Sequence, residues 1–214
     1  MANGTIGTPS SIGWPLHLVA FDAIEARVVS SFGPDSGEVR PFEGSTLHQQ
    51  LTRPRSGSFW SADILRYRLS RWSTTGDRLA TLERRPGWFS TPSRFWIGNP
   101  QTPPPPAISA IAQDDDGLLW VFVRIPAPTW REVWPHAAER EYRYNELQLE
   151  KMFHTTIEVI DPSAKRVVAR LTLPYWIIES MPGNRAAAYT VDSNGVPHVD
   201  IFAFEIARNR RENP

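Results

Sequence analysis

Residues 114–120 read DDDGLLW, and the reading of this run decides the fold. Three aspartates beside a glycine fit a metal loop, an acid/base pair or the corner of a hairpin. A calcium loop of the EF type needs acids at alternate positions, with glycine sixth and glutamate twelfth. Here the aspartates are consecutive, and alternation would require an acid where Ala112 stands. A hairpin corner uses the same residues more simply. Asp116-Gly117 is then the tight turn, both residues expected at positive φ, with Asp114 and Asp115 solvated beside it.

The corner recurs. Gly57-Ser58-Phe59-Trp60 and Gly117-Leu118-Leu119-Trp120 both run from a glycine, through a hydrophobic residue, to a tryptophan. Strand-like runs flank each: LHQQLTRP (47–54) and SFWSADIL (58–65), then ISAIAQ (108–113) and LLWVFVRI (118–125). A looser third copy is AAAYTVD (186–192), the turn Ser193-Asn194-Gly195, and VPHVDIFAFEI (196–206). A second hairpin type interleaves with the first. LHLVAFD (16–22) leads to ARVVSSF (26–32), YRLSRWS (67–73) to RLATL (78–82), and TTIEVID (155–161) to RVVARLTL (166–173). Alternation of β-branched or aromatic residues with polar ones has the period of a strand.

Lettering the strands a to d gives a partial unit up to about residue 33 and full units near 46–90 and 107–175. A terminal a–b pair follows near 184–207. Residues 126–154 interrupt the second unit between b and c; without them the repeat falls near the roughly 40–50 residues of a four-stranded blade. The expectation is one all-β domain over 1–214. Its parts are a partial blade at 1–45, blades at 46–106 and 107–177, and a partial blade at 178–214.

This pattern resembles a six-bladed, NHL-like β-propeller of the kind found in many uncharacterised bacterial proteins. The residues carrying the resemblance are DDDGLLWVFV, SGSFWSA, PLHLVAFD with ARVVSSFG, and TIEVIDPSAKRVVARL. It implies a propeller-like array of four-stranded antiparallel blades with one helix-containing insertion. About three blades' worth of strands are present, whereas propellers close with four or more. Two readings stay open: a piece of a longer, exported protein, periplasmic or secreted, or a homodimer in which two chains complete one ring.

Composition narrows the partners. Lys+Arg and Asp+Glu are balanced at 23 each, which removes the electrostatic case for nucleic acid or an anionic membrane. With no cysteine, disulfides, thiolate catalysis and Cys-ligated zinc are excluded. No basic segment followed by an apolar run opens the chain, so no signal peptide is expected, and no stretch has the length of a membrane helix. The 20 prolines imply short elements and frequent reversals, and the nine tryptophans imply wedges between them. His17, His48, His136, His154 and His198 show no metal-ligand spacing, and no G-x-S-x-G or G-x-G-x-x-G occurs. No metal or other cofactor is expected.

The insertion, PAPTWREVWPHAAEREYRYNELQLEKMFH (126–154), is the informative departure. Pro135 suits a helix's first turn and the following residues are helix formers, so a helix is expected there. In propellers the b–c and d–a connections usually lie on the ligand face. The resemblance therefore places Trp130, Arg131, Trp134, His136, Tyr142 and Tyr144 over that face, as candidates for stacking on a sugar or gripping a peptide. The plainer reading is a lid whose aromatics pack down. The four prolines at 103–106 read as a rigid connector.

Two functions follow from the resemblance. The first is a non-catalytic binding or scaffold module with a protein or glycan partner. The second is a lactonase-like, calcium-dependent hydrolase, for which Glu179, Asn184 and Asn99 are the loosely suitable positions.

Overall fold

The computed structural model describes residues 16–21, 26–32, 49–90, 102–133 and 149–207. These residues are mostly strand. A hairpin pairs β1 (Leu16–Phe21) with β2 (Ala26–Phe32). A four-stranded antiparallel meander follows: β3 (Gln49–Leu51), β4 (Ser58–Asp63), β5 (Arg68–Ser73) and β6 (Arg78–Glu83). A second comprises β7 (Ala107–Gln113), β8 (Leu119–Pro126), β9 (Phe153–Asp161) and β10 (Arg166–Leu173). The last sheet has three strands: β11 (Trp176–Met181), β12 (Arg185–Val191) and β13 (Pro197–Ala203). The a–b–c–d order read from the sequence at 46–90 and 107–175 is therefore the observed strand order of the two four-stranded sheets.

The sheets stack through their first strands, with β3 and β11 both against β7. Alternation along β8 explains how the middle sheet serves two neighbours. Leu119, Val121 and Val123 join Trp60, Ala62, Tyr67, Leu69 and Phe89 in one buried cluster toward the first sheet. Trp120 and Phe122 join Ile157, Ile177, Ala186 and Ala188 in another, toward the last sheet. Each leucine, isoleucine, valine or phenylalanine among them contributes about 1.5–3 kcal/mol on leaving water. The first sheet's opposite face buries Phe59 and Trp72, with Leu51 half-buried beside them.

The last sheet departs from expectation. The sequence pattern suggests an a–b pair at 184–207, but Trp176–Met181 forms a strand ahead of it and crosses the expected boundary between 177 and 178. This strand is the counterpart of β7. Both break register at their third residue, between Ile108 and Ala110 and between Ile177 and Glu179. The N–H of each isoleucine donates to the preceding sheet, Ile108 to the Ile64 carbonyl and Ile177 to the Thr155 hydroxyl, both at 2.9 Å. The Ser193-Asn194-Gly195 corner thus joins the second and third strands of its sheet, not the first and second.

The DDDG corner is also built differently from the expected two-residue turn. Only Gly117 has positive φ, at 83°. Asp114 closes the corner: its carbonyl accepts the Gly117 N–H at 3.1 Å and its Oδ1 accepts the Leu118 N–H at 2.8 Å. It is therefore buried, at 9% exposed, where solvation was expected. Asp115 alone behaves as read, lying out in solvent and paired with Arg55. The same bonds recur at Asp192, whose carbonyl accepts Gly195 N–H at 3.0 Å and whose Oδ1 accepts Val196 N–H at 2.9 Å. Ser73 does the same work between β5 and β6, its hydroxyl accepting the Asp77 N–H at 2.9 Å. The true two-residue turn is Ser56-Gly57, where both φ are positive, at 45° and 72°.

Candidate functional site

Arg55, at the β3–β4 corner, donates to the Asp114 carbonyl and the Asp115 carboxylate at the β7–β8 corner. Corresponding ends of neighbouring sheets are thus aligned. The opposite ends carry the β4–β5 link, the chain after β6, the root of the insertion and the start of β11.

The insertion leaves and returns through two single-turn helices, α1 (Trp130–Val133) and α2 (Leu149–Met152). The Ala127 N–H donates to the Met152 carbonyl at 2.9 Å, and the Thr129 hydroxyl to the Lys151 carbonyl at 2.8 Å, which ties the two arms together. Of the candidate binding residues, Trp130 packs down and is 7% exposed, while Arg131 is exposed with its guanidinium 5.3 Å from the Trp130 ring centre. Trp134, His136, Tyr142 and Tyr144 lie outside the described residues, as does the body of the expected helix.

A row that sequence reasoning missed lies at the insertion's root. The Arg124 guanidinium sits 5.0 Å from the Phe153 ring centre, and Phe153 lies 5.9 Å from Trp176. These residues come from β8, β9 and β11. Among the described residues the buried Trp176 Nε1 has no hydrogen-bond partner. Neighbouring His154 is pushed below the ordinary histidine value by burial, so it is neutral at physiological pH.

The strongest buried electrostatics lie where the first and second sheets meet. Glu158 projects from the middle of β9 and is 2% exposed. Its Oε2 accepts the Tyr67 hydroxyl at 2.6 Å and a guanidinium N–H of Arg84, while Arg170 lies 3.9 Å from Oε1. Burial, reinforced by the adjacent carboxylate, pushes the Tyr67 hydroxyl far above the ordinary tyrosine value, so it stays a donor. Aromatic edges frame the group: Phe89 and Trp88 meet the Tyr67 ring at 5.3 and 6.2 Å. Arg84 lies over Tyr67 at 5.1 Å and Arg170 over Trp88 at 4.5 Å. No sequence signal marked Glu158, because one acid in an alternating strand reads as a solvent-facing residue. Its chemistry is that of a latch: a buried carboxylate held by a phenol and a guanidinium from the neighbouring sheet.

The positions considered for calcium do not converge. Glu179 caps its own neighbour, accepting the Ser180 N–H at 2.9 Å, and Asn184 sits in a corner at φ 53°. Asn99 lies outside the described residues. Among the described residues no three His, Asp or Glu side chains gather to hold a metal. No described helix is long and apolar enough to cross a membrane. Pro104 and Pro106 of the proline run are buried, with Pro103 exposed, so the run lies against the protein rather than standing clear of it.

Compared with family models, curated proteins and solved structures, the chain matches none.

Proposed function

We propose that the chain is a non-catalytic binding module of propeller type, taking a protein or glycan partner at the end of the sheets where the insertion is rooted. The observation that carries the reading is the pair of arginine–aromatic stacks at the insertion's root. Arg131 lies over Trp130 and Arg124 over Phe153, whereas Arg84 and Arg170 are already engaged by the buried Glu158. Such pairs hold guanidinium groups flat on apolar surface, where they meet carboxylates or sulfates with little further loss of freedom. The favoured partner is therefore an acidic peptide or an anionic glycan. Equal numbers of positive and negative residues overall make any such attraction local to this end.

The stacked meanders, joined through β3, β7 and β11, support the propeller part of the reading. A glycan array holding sulfated, uronic-acid and neutral members, run beside a panel of acidic peptides, tests the function. Binding of an acidic class, weakened about tenfold by Arg131→Ala or Arg124→Ala with the fold intact, is the expected result. Binding untouched by both substitutions would move the site elsewhere.

A further inference from the structure

Three corners of the described fold share one build. Ser73, Asp114 and Asp192 each close a turn whose fourth residue is a glycine at positive φ: Gly76 at 103°, Gly117 at 83° and Gly195 at 81°. The residue before that glycine differs, being Thr75, Asp116 and Asn194 in turn. Of the two asparagines among the described residues, Asn184 precedes an arginine and Asn194 precedes Gly195. A carboxamide ahead of glycine sets an electrophilic carbon one five-membered ring away from the next backbone nitrogen. Glycine brings no Cβ to hinder that approach.

We infer that Asn194 is a site of self-modification, converted to aspartate and isoaspartate at a rate that the Asp192 corner sets. The Gly195 nitrogen attacks the side-chain carbonyl carbon of Asn194. As that C–N bond forms, the bond from the carbon to Nδ2 breaks, and ammonia leaves with the proton that Gly195 gives up. Water then opens the cyclic imide at either of its two carbonyls. One opening gives aspartate, the other an isoaspartate whose main chain runs through the former side chain. The sum is one water taken up and one ammonia released.

The closed corner restrains the first step. The Gly195 N–H is donated to the Asp192 carbonyl at 3.0 Å, while Asp192 Oδ1 accepts the amides of Asn194 at 2.8 Å and Val196 at 2.9 Å. The nitrogen therefore turns to the carboxamide only when the corner opens. Little holds it shut beyond these bonds, since β13 ends its sheet and residues 193–201 are all exposed. Such segments open locally, without the rest of the domain. The two products differ in fit. Aspartate at 194 reproduces Asp116 of the DDDG corner, whereas isoaspartate lengthens the chain inside a turn whose bonds to Asp192 depend on its length. The chemistry does not depend on the proposed partner site.

Tryptic mapping tests it, because the fragment 186–208 contains Asn194 as its one asparagine. The full chain is held for weeks at body temperature, folded and in urea, beside Asp192→Ala and Asn194→Gln, with circular dichroism to confirm each fold. Conversion at Asn194 is expected in the folded parent, slower than in urea and accelerated roughly fivefold by Asp192→Ala, which frees two of the corner's amides. Asn194→Gln is expected to stay unconverted, its ring being one atom larger. If Asp192→Ala loses its fold, the comparison with urea still carries the test. A folded parent that stays unconverted while the unfolded chain converts overturns the proposal. Equal rates in folded and unfolded chains overturn it too, because the corner would then control nothing.

Discussion

The indole N–H of Trp120 donates to Asp114 Oδ2 at 2.9 Å, across the corner that Asp114 itself closes. Six residues after the equivalent Asp192, His198 Nε2 stands 3.3 Å from Asp192 Oδ2. One corner design, an aspartate capping the turn and receiving a ring nitrogen six positions on, is therefore used twice. Trp120→Phe leaves the buried Asp114 oxygen without its donor and is expected to cost about 1–3 kcal/mol. Asp114→Ala is expected to cost more, since it also releases the Leu118 amide. A double-mutant cycle by urea unfolding should show coupling of about 1 kcal/mol between the two positions.

The Glu158 latch predicts a graded series. Tyr67→Phe removes one hydrogen bond to a charged group, about 1.5–3 kcal/mol. Glu158→Ala leaves two arginines facing an emptied site and is expected to cost about 3–5 kcal/mol. Ultraviolet titration of the folded protein should show no Tyr67 phenolate in mildly alkaline solution, because burial and the adjacent carboxylate hold the hydroxyl protonated.

Two aspartates predict opposite responses to pH. Burial raises the Asp63 carboxyl above its ordinary value of 3.8. Its folded form binds the proton more tightly, so the associated stability is present below that value and lost as pH rises through the folded pKa. Asp63→Asn should raise the melting temperature at pH 7 and change little in acid. The Ser163 hydroxyl, then the Ala164 amide, hold Asp161 below 3.8. Its stability is present at neutral pH and lost as pH falls through the lowered value, so Asp161→Asn should lower the melting temperature at pH 7 and converge with the parent in acid. Paired melting curves from pH 3 to 8 check both signs.

Backbone conformation sets a third pair. Ser56 adopts φ 45° without being glycine. Ser56→Gly is expected to stabilise by up to about 1 kcal/mol, the left-handed penalty of about 1–2 kcal/mol less the extra entropy of unfolded glycine. Gly117→Ala meets no close neighbour, the nearest atom being Gln113 Nε2 at 4.0 Å. Its expected cost, about 1–2 kcal/mol, is therefore conformational alone. Chemical denaturation resolves both.

Millimolar calcium is expected to leave the melting temperature unchanged, because Glu179 and Asn184 serve their own corners. A rise that saturates with calcium would return the hydrolase reading to the front by linkage.

Strand order in the two four-stranded sheets was legible because glycine corners and two-residue alternation are local signals. WIIESM at 176–181 is not legible as a first strand because no glycine–tryptophan corner follows it; Arg185 stands where the wedge would be. The register break it shares with AISAIAQ exists only in three dimensions. The burial of Asp114 is hidden for a related reason: a turn aspartate looks solvated until the tryptophan six residues on folds back to it. Of the candidate site, Trp130 and Arg131 were legible as an aromatic with a cation. The row from Arg124 through Phe153 to Trp176 was not, since it draws on three strands from two sheets.

β8 is hydrogen-bonded along both edges and covered on both faces. Its amides should be the last to exchange with deuterium, opening only when the whole domain unfolds. The insertion springs from the end of that strand. A load applied at the insertion would therefore pass into the least yielding part of the described fold, which would hold tension rather than give way beneath it.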